Sequence, residues 1–250
     1  MNILGVIPSR YASTRFPGKP LTIINGKSMI QRVYEQALKS SSLSKVIVAT
    51  DDKRIFDHVK SFNGQVLMTS SDHQNGTTRC QEVLSKLNEE NSDNKYDIVI
   101  NIQGDEPYID PSQIEMVSAL FNHHKTGIGT LVKKISSSTE LFDENVVKVV
   151  FGKRKDAIYF SRQPIPYLRS VSKEDWLNHH TFYKHIGIYG YRADILNEIV
   201  LLEKGELEVA EKLEQIRWLE NSYSISVDVT DIESIAVDTP EDLLKLNNRY

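Results

Sequence analysis

The chain has 250 residues, 40% of them hydrophobic and 26% charged, with 30 Lys and Arg against 34 Asp and Glu for a net charge of −4. That balance suits one sizeable globular domain and excludes the broad basic surface needed to coat nucleic acid. A single cysteine, Cys80, excludes an intrachain disulfide, and no apolar run approaches the roughly 20 residues of a membrane span.

Residues 3–7 are a continuous apolar run, which predicts a strand buried on both faces. The run is too short for a signal peptide and ends at Pro8, so a cytoplasmic protein is expected. A polar loop to Pro20, residues 21–24 and an Asn25-Gly26 turn signal follow. Ser28 can cap a helix in which Met29, Ile30, Val33, Tyr34, Ala37 and Leu38 keep helical spacing. Strands are predicted at 46–49, 65–68 and 97–102. Between them lie one helix bearing Ile55, Phe56, Val59 and Phe62 and a second bearing Val83, Leu84 and Leu87. Asp51 and Asp52 are expected to cap the first of these two helices.

The rhythm changes near residue 126. Segments 146–151 and 157–160 flank Gly152-Lys153-Arg154-Lys155-Asp156 as a hairpin, and 164–181 reads as loop. A strand at 186–191, helices near 193–202 and 207–220, a strand at 225–229 and a helix after Pro240 complete the chain. Together these predict an α/β fold with a mostly parallel sheet. Residues 1–250 make one domain, with an antiparallel extension inserted at about 130–192.

Charge is segregated along the chain. The first acidic residue is Glu35, and ahead of it stand Arg10, Arg15, Lys19, Lys27 and Arg32, so the first 34 residues carry +5 and the remainder −9. Arg10, Arg15 and Lys19 lie in the loop after the first strand, where open α/β sheets bind ligands. Ala12, Ser13 and Thr14 let backbone N–H groups approach an anion, and the guanidinium forks and the ammonium suit a triphosphate. Gly26-Lys27-Ser28 lacks the earlier glycine of a P-loop, since Leu21 stands there, and no G-x-G-x-x-G follows the first strand.

The segment Pro8-Ser9-Arg10-Tyr11-Ala12-Ser13-Thr14-Arg15-Phe16-Pro17-Gly18-Lys19-Pro20-Leu21 resembles the opening of the 3-deoxy-manno-octulosonate cytidylyltransferase family. Further matches follow in family order: Ala49-Thr50-Asp51-Asp52, Asp72-His73-Gln74-Asn75-Gly76-Thr77-Thr78-Arg79, Asn101-Ile102-Gln103-Gly104-Asp105-Glu106-Pro107 and Tyr159-Phe160-Ser161-Arg162. The set closes with Lys184-His185-Ile186-Gly187-Ile188-Tyr189-Gly190-Tyr191, Lys212-Leu213-Glu214-Gln215-Ile216-Arg217 and Val237-Asp238-Thr239-Pro240-Glu241-Asp242-Leu243. The resemblance implies a Rossmann-like nucleotidyltransferase sheet. It implies that CTP and the sugar acid Kdo give CMP-Kdo and diphosphate for lipopolysaccharide synthesis, and that the protein is a homodimer built through the inserted region.

Asp105 lies just past the fourth strand; by itself it reads equally as a turn residue or cap before Pro107. Thr239 with Asp242 approximates a capping box, which frees Asp238 for other work. The resemblance implies that Asp105 and Asp238 together bind Mg²⁺ and that Lys19 acts with them in catalysis. It also places Gly76 and Arg79 in the nucleotide pocket. Gln103, Arg162, His185, Tyr189, Glu214 and Gln215 are implied on the sugar acid, with Arg162 opposite its carboxylate. Read without the family, His185, Gly187 and Tyr189 share a strand face, where a satisfied half-buried histidine and a packed tyrosine are the ordinary expectation. Likewise Glu211, Glu214 and Gln215 form a helix-face stripe that is usually solvated. His123-His124 and His179-His180 match no motif and are expected at the surface. Two departures stand out: Thr78 occupies a position where the family commonly has an acid, and residues 206–211 differ from well-known members. Both leave open an 8-amino analogue of Kdo as the substrate.

Overall fold

The computed structural model describes residues 1–12, 16–90, 95–123, 125–233 and 235–247. Its first half runs β1 (Ile3–Pro8), β2 (Ile23–Ile24), β3 (Lys27–Ser28), α1 (Met29–Ala37), β4 (Lys45–Thr50), α2 (Lys53–Ser61), β5 (Val66–Met68), α3 (Gly76–Glu90), β6 (Ile98–Asn101) and α4 (Pro111–Leu120). Then come β7 (Ile128–Lys134), α5 (Ser138–Phe142), β8 (Lys148–Phe151), β9 (Ala157–Ser161), α6 (Trp176–His179) and β10 (Tyr183–Arg192). The chain closes with α7 (Ala193–Ile199), α8 (Glu206–Glu211), α9 (Glu214–Glu220), β11 (Ile225–Val229) and α10 (Pro240–Asn247).

Period-2 alternation sorts the strand side chains onto two cores. Leu4 and Val6 of β1, Ile47 and Ala49 of β4 and Val99 of β6 pack beneath α3, α7 and α9. Ile3 and Ile7, Val46 and Val48, and Ile98 and Ile100 pack on the opposite face beneath α1, α2 and α4. Both faces are covered, which is why these strands are continuous apolar runs. The sheet order is β11-β7-β10-β6-β1-β4-β5, with β8 paired to β10 and β9 paired to β8. Strands β5, β4, β1 and β6 are mutually parallel, as are β7 and β11; β10 runs antiparallel to both β6 and β7. The result is a mostly parallel α/β sheet from which the antiparallel β8–β9 hairpin branches. The chain leaves β1 through α1 to β4 on one side and later returns to its other side as β6. That reversal opens a crevice beyond the carboxyl ends of β1 and β6.

Local capping follows the sequence. The Ser28 hydroxyl accepts from Gln31 N, and Asn25 (φ 46°) and Gly26 (φ 80°) turn the β2–β3 hairpin. Asp52 caps α2 as expected, but Asp51 does not cap: its Oδ2 accepts from Arg79 Nη2 at 3.1 Å. The loop predicted over 164–181 contains a 3-10 turn, Lys173–Asp175, and α6. The helix predicted over 207–220 is two helices, because Lys212 between them adopts left-handed φ 53°, ψ 46°. The shared face of Glu211, Glu214 and Gln215 therefore does not exist. Glu211 turns to Ser161 Oγ and Arg162 N, while α9 starts afresh at Glu214. Strand β10 is longer than predicted and bulges between Ile186 and Tyr189. No helix among the described residues is long and apolar enough to cross a membrane.

Candidate active site

A cavity of about 360 Å³ fills the crevice between β1 and β6. Pro8, Ser9 and Arg10 come from the end of β1, and Asn101, Gln103 and Asp105 from the end of β6. The first turn of α3 adds Gly76, Thr77 and Arg79; β10 adds Tyr189 and Tyr191; and α9 adds Glu214, Gln215 and Trp218. A second cavity of about 490 Å³ shares Gln103, Asp105 and Gly187 and extends to Asn145, Lys184, His185 and Glu233. Asp105 thus lines both spaces.

The charged end is built by three separate segments. Lys19 Nζ donates to Asp105 Oδ2 at 2.8 Å and to Asp238 Oδ1 at 3.2 Å, so the ammonium bridges two carboxylates 133 positions apart in sequence. Val237 N donates to Asp105 O at 2.9 Å and ties the two carboxylate-bearing segments together. The capping box forms as expected: Thr239 N and Oγ1 donate to Asp242 Oδ2, and Asp242 N donates to Thr239 Oγ1 at 3.2 Å. Asp238, whose N–H also goes to Asp242 Oδ2, turns its carboxylate to Lys19 instead. Two carboxylates converging on one cation offer the hard oxygen donors that Mg²⁺ takes in ones and twos, with phosphate and water completing its shell. Among the described residues no cluster of three or more His, Cys, Asp or Glu side chains forms a cage, so a cation held here would draw its other ligands from the substrate. Arg10 lines the same cavity. Arg15 lies outside the described residues, as do Ser13, Thr14 and His124.

Close approach governs the Gly76 end. A Cβ there would lie 3.1 Å from Asn101 Nδ2 and 3.3 Å from Pro8 Cγ. Arg79 reaches the cavity wall, but its guanidinium is held by Asp51 and by the Thr69 hydroxyl. Beside it, His73 binds Thr78 Oγ1 at 3.1 Å and Glu82 through its other ring nitrogen. Burial works to raise the Glu82 carboxyl, but donors on Lys86, His73 and the Ser70 backbone hold it down at about 2.

The other end is aromatic. The Tyr189 and Trp218 rings meet edge-on at 5.2 Å, and Tyr191 and Trp218 at 5.6 Å. Among the described residues, the buried polar atoms Ser9 Oγ, Tyr189 OH and Trp218 Nε1 find no hydrogen-bond partner, and all three residues line the cavity. Native interiors rarely leave such groups unpaired, and each is an available contact for a polar ligand. Glu214 accepts from the Thr77 hydroxyl at 3.1 Å. Burial pushes its carboxyl up to about 7, against smaller opposing pulls from Thr77 and Arg217.

That shift carries a stability signature. The unfolded carboxyl titrates near 4.5, so between 4.5 and 7 the native state holds a proton the unfolded chain has released. Its contribution is full below about pH 4.5 and is lost as pH rises through 7. Glu214→Gln is expected to remove this decline and to gain about 2–3 kcal/mol over the parent above pH 7.5. Thermal melts of both proteins from pH 5 to 8 check it; parallel curves refute it.

Not every predicted residue converges. Gln103 lines both cavities, with Nε2 donating to Gly187 O at 2.8 Å; Tyr189, Glu214 and Gln215 line the first, and His185 the second. His185 is half-buried, bonds Thr130 Oγ1 at 3.0 Å, and is driven by burial to about 3, so its imidazole is neutral. Its ring lies 5.0 Å from that of Tyr189, although extended spacing would separate the two backbones by roughly 13 Å. Arg162 lines neither cavity. Its Nε donates to Glu211 O at 2.8 Å and its Nη1 to Glu144 O at 3.0 Å, which clamps the α8–α9 break to the β8–β9 hairpin. His123, His179 and His180 are exposed, as expected. Asn101, Thr77, Tyr191 and Trp218 also line the cavity and are not among the residues expected there. The first three sit inside quoted motifs, and Trp218 falls one helical turn after Glu214.

The profile of a family described as cytidylyltransferase matches residues 4–232. A 3-deoxy-manno-octulosonate cytidylyltransferase of Parabacteroides distasonis is 53% identical over 249 residues, covering 98% of this chain and 96% of that protein. One of the same name from Thermodesulfovibrio yellowstonii is 48% identical over 239 residues, covering 95% and 94%. Among solved structures, a CMP:2-keto-3-deoxy-manno-octonic acid synthetase complexed with CTP superposes with a TM-score of 0.90 at 40% identity, covering 100% of this chain and 98% of that one. A cytidylyltransferase from Leptospira borgpetersenii shares the fold, with a TM-score of 0.63 at 15% identity over 99% of this chain and 85% of that one.

Proposed function

The chain belongs to the cytidylyltransferase family, and from that premise we propose that it transfers the cytidylyl group of CTP to 3-deoxy-D-manno-octulosonate (Kdo), giving CMP-Kdo and diphosphate. The observation that carries the reading is the convergence of Lys19, Asp105 and Asp238 at the switch-point crevice. The anomeric hydroxyl loses its proton to solvent as its oxygen attacks the α-phosphorus, the bond to the bridging oxygen breaks, and diphosphate leaves with that electron pair. No covalent intermediate on the protein is required.

Arg10, Arg15 and Lys19 hold the triphosphate, and the Gly76 turn and Arg79 border the nucleoside. Gln103, His185, Tyr189, Glu214 and Gln215 supply the polar contacts to the sugar acid, whereas Arg162, spent on backbone carbonyls, is left out of the set. Asp105 and Asp238 are the residues that would hold Mg²⁺, which when bound offsets triphosphate charge and polarises the phosphoryl oxygens. The rest of the catalysis is positioning of the two substrates across Asp105. We assign residues 130–192 to an extension within the single domain and expect a homodimer formed through it. The product would serve lipopolysaccharide synthesis in the cytoplasm.

Diphosphate release measured over a panel of nucleoside triphosphates and sugar acids, with and without Mg²⁺, tests the proposal. Turnover is expected with CTP and Kdo and is expected to stop on chelation. The panel includes 8-amino-Kdo, which separates the two octulosonates. No turnover with CTP and any octulosonate overturns the assignment.

A further inference from the structure

The break at Lys212 leaves α8 and α9 folded against each other, and the contacts between them are ionic and buried. Arg217 Nε donates to Glu208 Oε2 and Nη2 to Glu208 Oε1, both at 2.6 Å, with the two side chains 7% and 9% exposed. The remaining arm, Nη1, donates to Leu202 O at 3.2 Å. From the far end of α9, Glu220 accepts the N–H groups of Leu207 and Glu208 at 3.2 and 3.3 Å and so caps α8. Gly205 permits this, because a Cβ there would lie 2.0 Å from Glu220 Oε2.

Glu214 is three positions before Arg217 on the same short helix, the spacing at which a carboxylate and a guanidinium ordinarily pair. They do not pair here. Arg217 has turned all its bonds to Glu208 and Leu202, and Glu214 takes a neutral hydroxyl from Thr77. The titratable and charged groups facing Glu214 are Cys80 from α3, Tyr189 and Tyr191 from β10, Glu208 from α8, Arg217 from α9, and Lys204 from the turn before α8. The acceptor substrate is itself an anion, so an ionised carboxylate lining the same cavity would repel it. A protonated acid instead offers it an O–H.

We propose that Glu208 is a positioning residue of the acceptor site: by holding both sides of the Arg217 fork it keeps that cation off Glu214 and leaves the Glu214 carboxyl to hydrogen-bond the sugar acid. The inference rests on the reading that Glu214 faces the sugar acid.

The test uses the full chain and the variants Glu208→Gln, Arg217→Met and Glu214→Gln. Infrared spectra of the ligand-free proteins at pH 6 come first: the wild type shows a protonated-carboxyl band that Glu214→Gln removes. Glu208→Gln is expected to lose the band as well, because the freed Arg217 ionises Glu214, whereas Arg217→Met keeps it. KM for Kdo and for CTP is then followed from pH 5.5 to 8.5. In the wild type, KM for Kdo is expected to rise about tenfold per pH unit above 7. Glu208→Gln is expected to raise KM for Kdo about tenfold at pH 6 with KM for CTP within twofold. Identical behaviour of Glu208→Gln and Arg217→Met means a purely structural pair and overturns the proposal. Absence of the band from the wild type overturns it too, whether or not Glu208→Gln folds. Glu214→Gln, which keeps a neutral donor, is expected to leave KM for Kdo near the wild-type value at pH 6 and to abolish its rise above pH 7. If its KM for Kdo keeps the wild-type pH dependence, the placement of Glu214 against the sugar acid is what has failed.

Discussion

Asp105→Ala is expected to lower turnover by about a thousandfold or more while the protein still folds. The side chain takes part in one ion pair at the rim of the cavity, and its removal leaves Lys19 paired with Asp238. Its backbone carbonyl still accepts from Val237 N, so the strand end and the Asp238 segment stay joined. Stability should therefore fall by no more than about 1 kcal/mol, as for other partly exposed ion pairs. Catalysis loses much more. A group that stabilises developing charge in a water-poor site contributes on the order of 10²–10³ in rate, and a metal ligand adds the cost of misplacing the cation. Asp105→Asn keeps the shape and removes the charge, so it should resemble Ala in rate and the wild type in melting. Diphosphate release and thermal melts check both, and a variant within tenfold of normal turnover removes Asp105 from the mechanism.

Gly104→Ala is expected to damage the enzyme almost as severely from a residue that carries no chemistry. A Cβ on Gly104 would sit 2.7 Å from the carbonyl oxygen of Pro8, and that oxygen belongs to backbone at the end of β1. A flexible side chain could move aside, but here the two strand ends must separate. Overpacking of this kind costs about 1–3 kcal/mol. The separation displaces Asp105, the next residue, from Lys19, and misplacement by about 1 Å is worth roughly a hundredfold in rate. The expected result is a Tm lowered by several degrees together with a kcat reduced about a hundredfold. If the methyl group is accommodated with kcat unchanged, the proximity of the β1 and β6 ends does not position Asp105.

Much of this site can be read along the chain because its parts are local. Residues 3–7, 46–49 and 97–102 announce buried strands by their apolar runs, and a loop leaving the carboxyl end of such a strand is where anions bind. Thr239 and Asp242 spell out a capping box, so the release of Asp238 follows from spacing alone. Helical periodicity misled at 207–220. It cannot register one residue with left-handed φ, and Lys212 carries no sequence mark of that conformation. Period-2 spacing likewise kept His185 and Tyr189 apart, because a bulge depends on how β10 pairs with β7.

The sequence by itself determined the α/β architecture, the cationic loop and the ordered motifs that point to nucleotidyl transfer, since each depends on neighbours within about twenty positions. Tertiary structure alone decided which charges meet. Lys19, Asp105 and Asp238 are joined only because the crossover from β1 opens a crevice into which three distant segments converge. The same holds for charge state. Glu214 is an ordinary acid in the sequence, and only burial, against the smaller pulls of Thr77 and Arg217, pushes its carboxyl up to about 7. Desolvation and pairing act through space, so a linear pattern names the groups while the fold sets what they do.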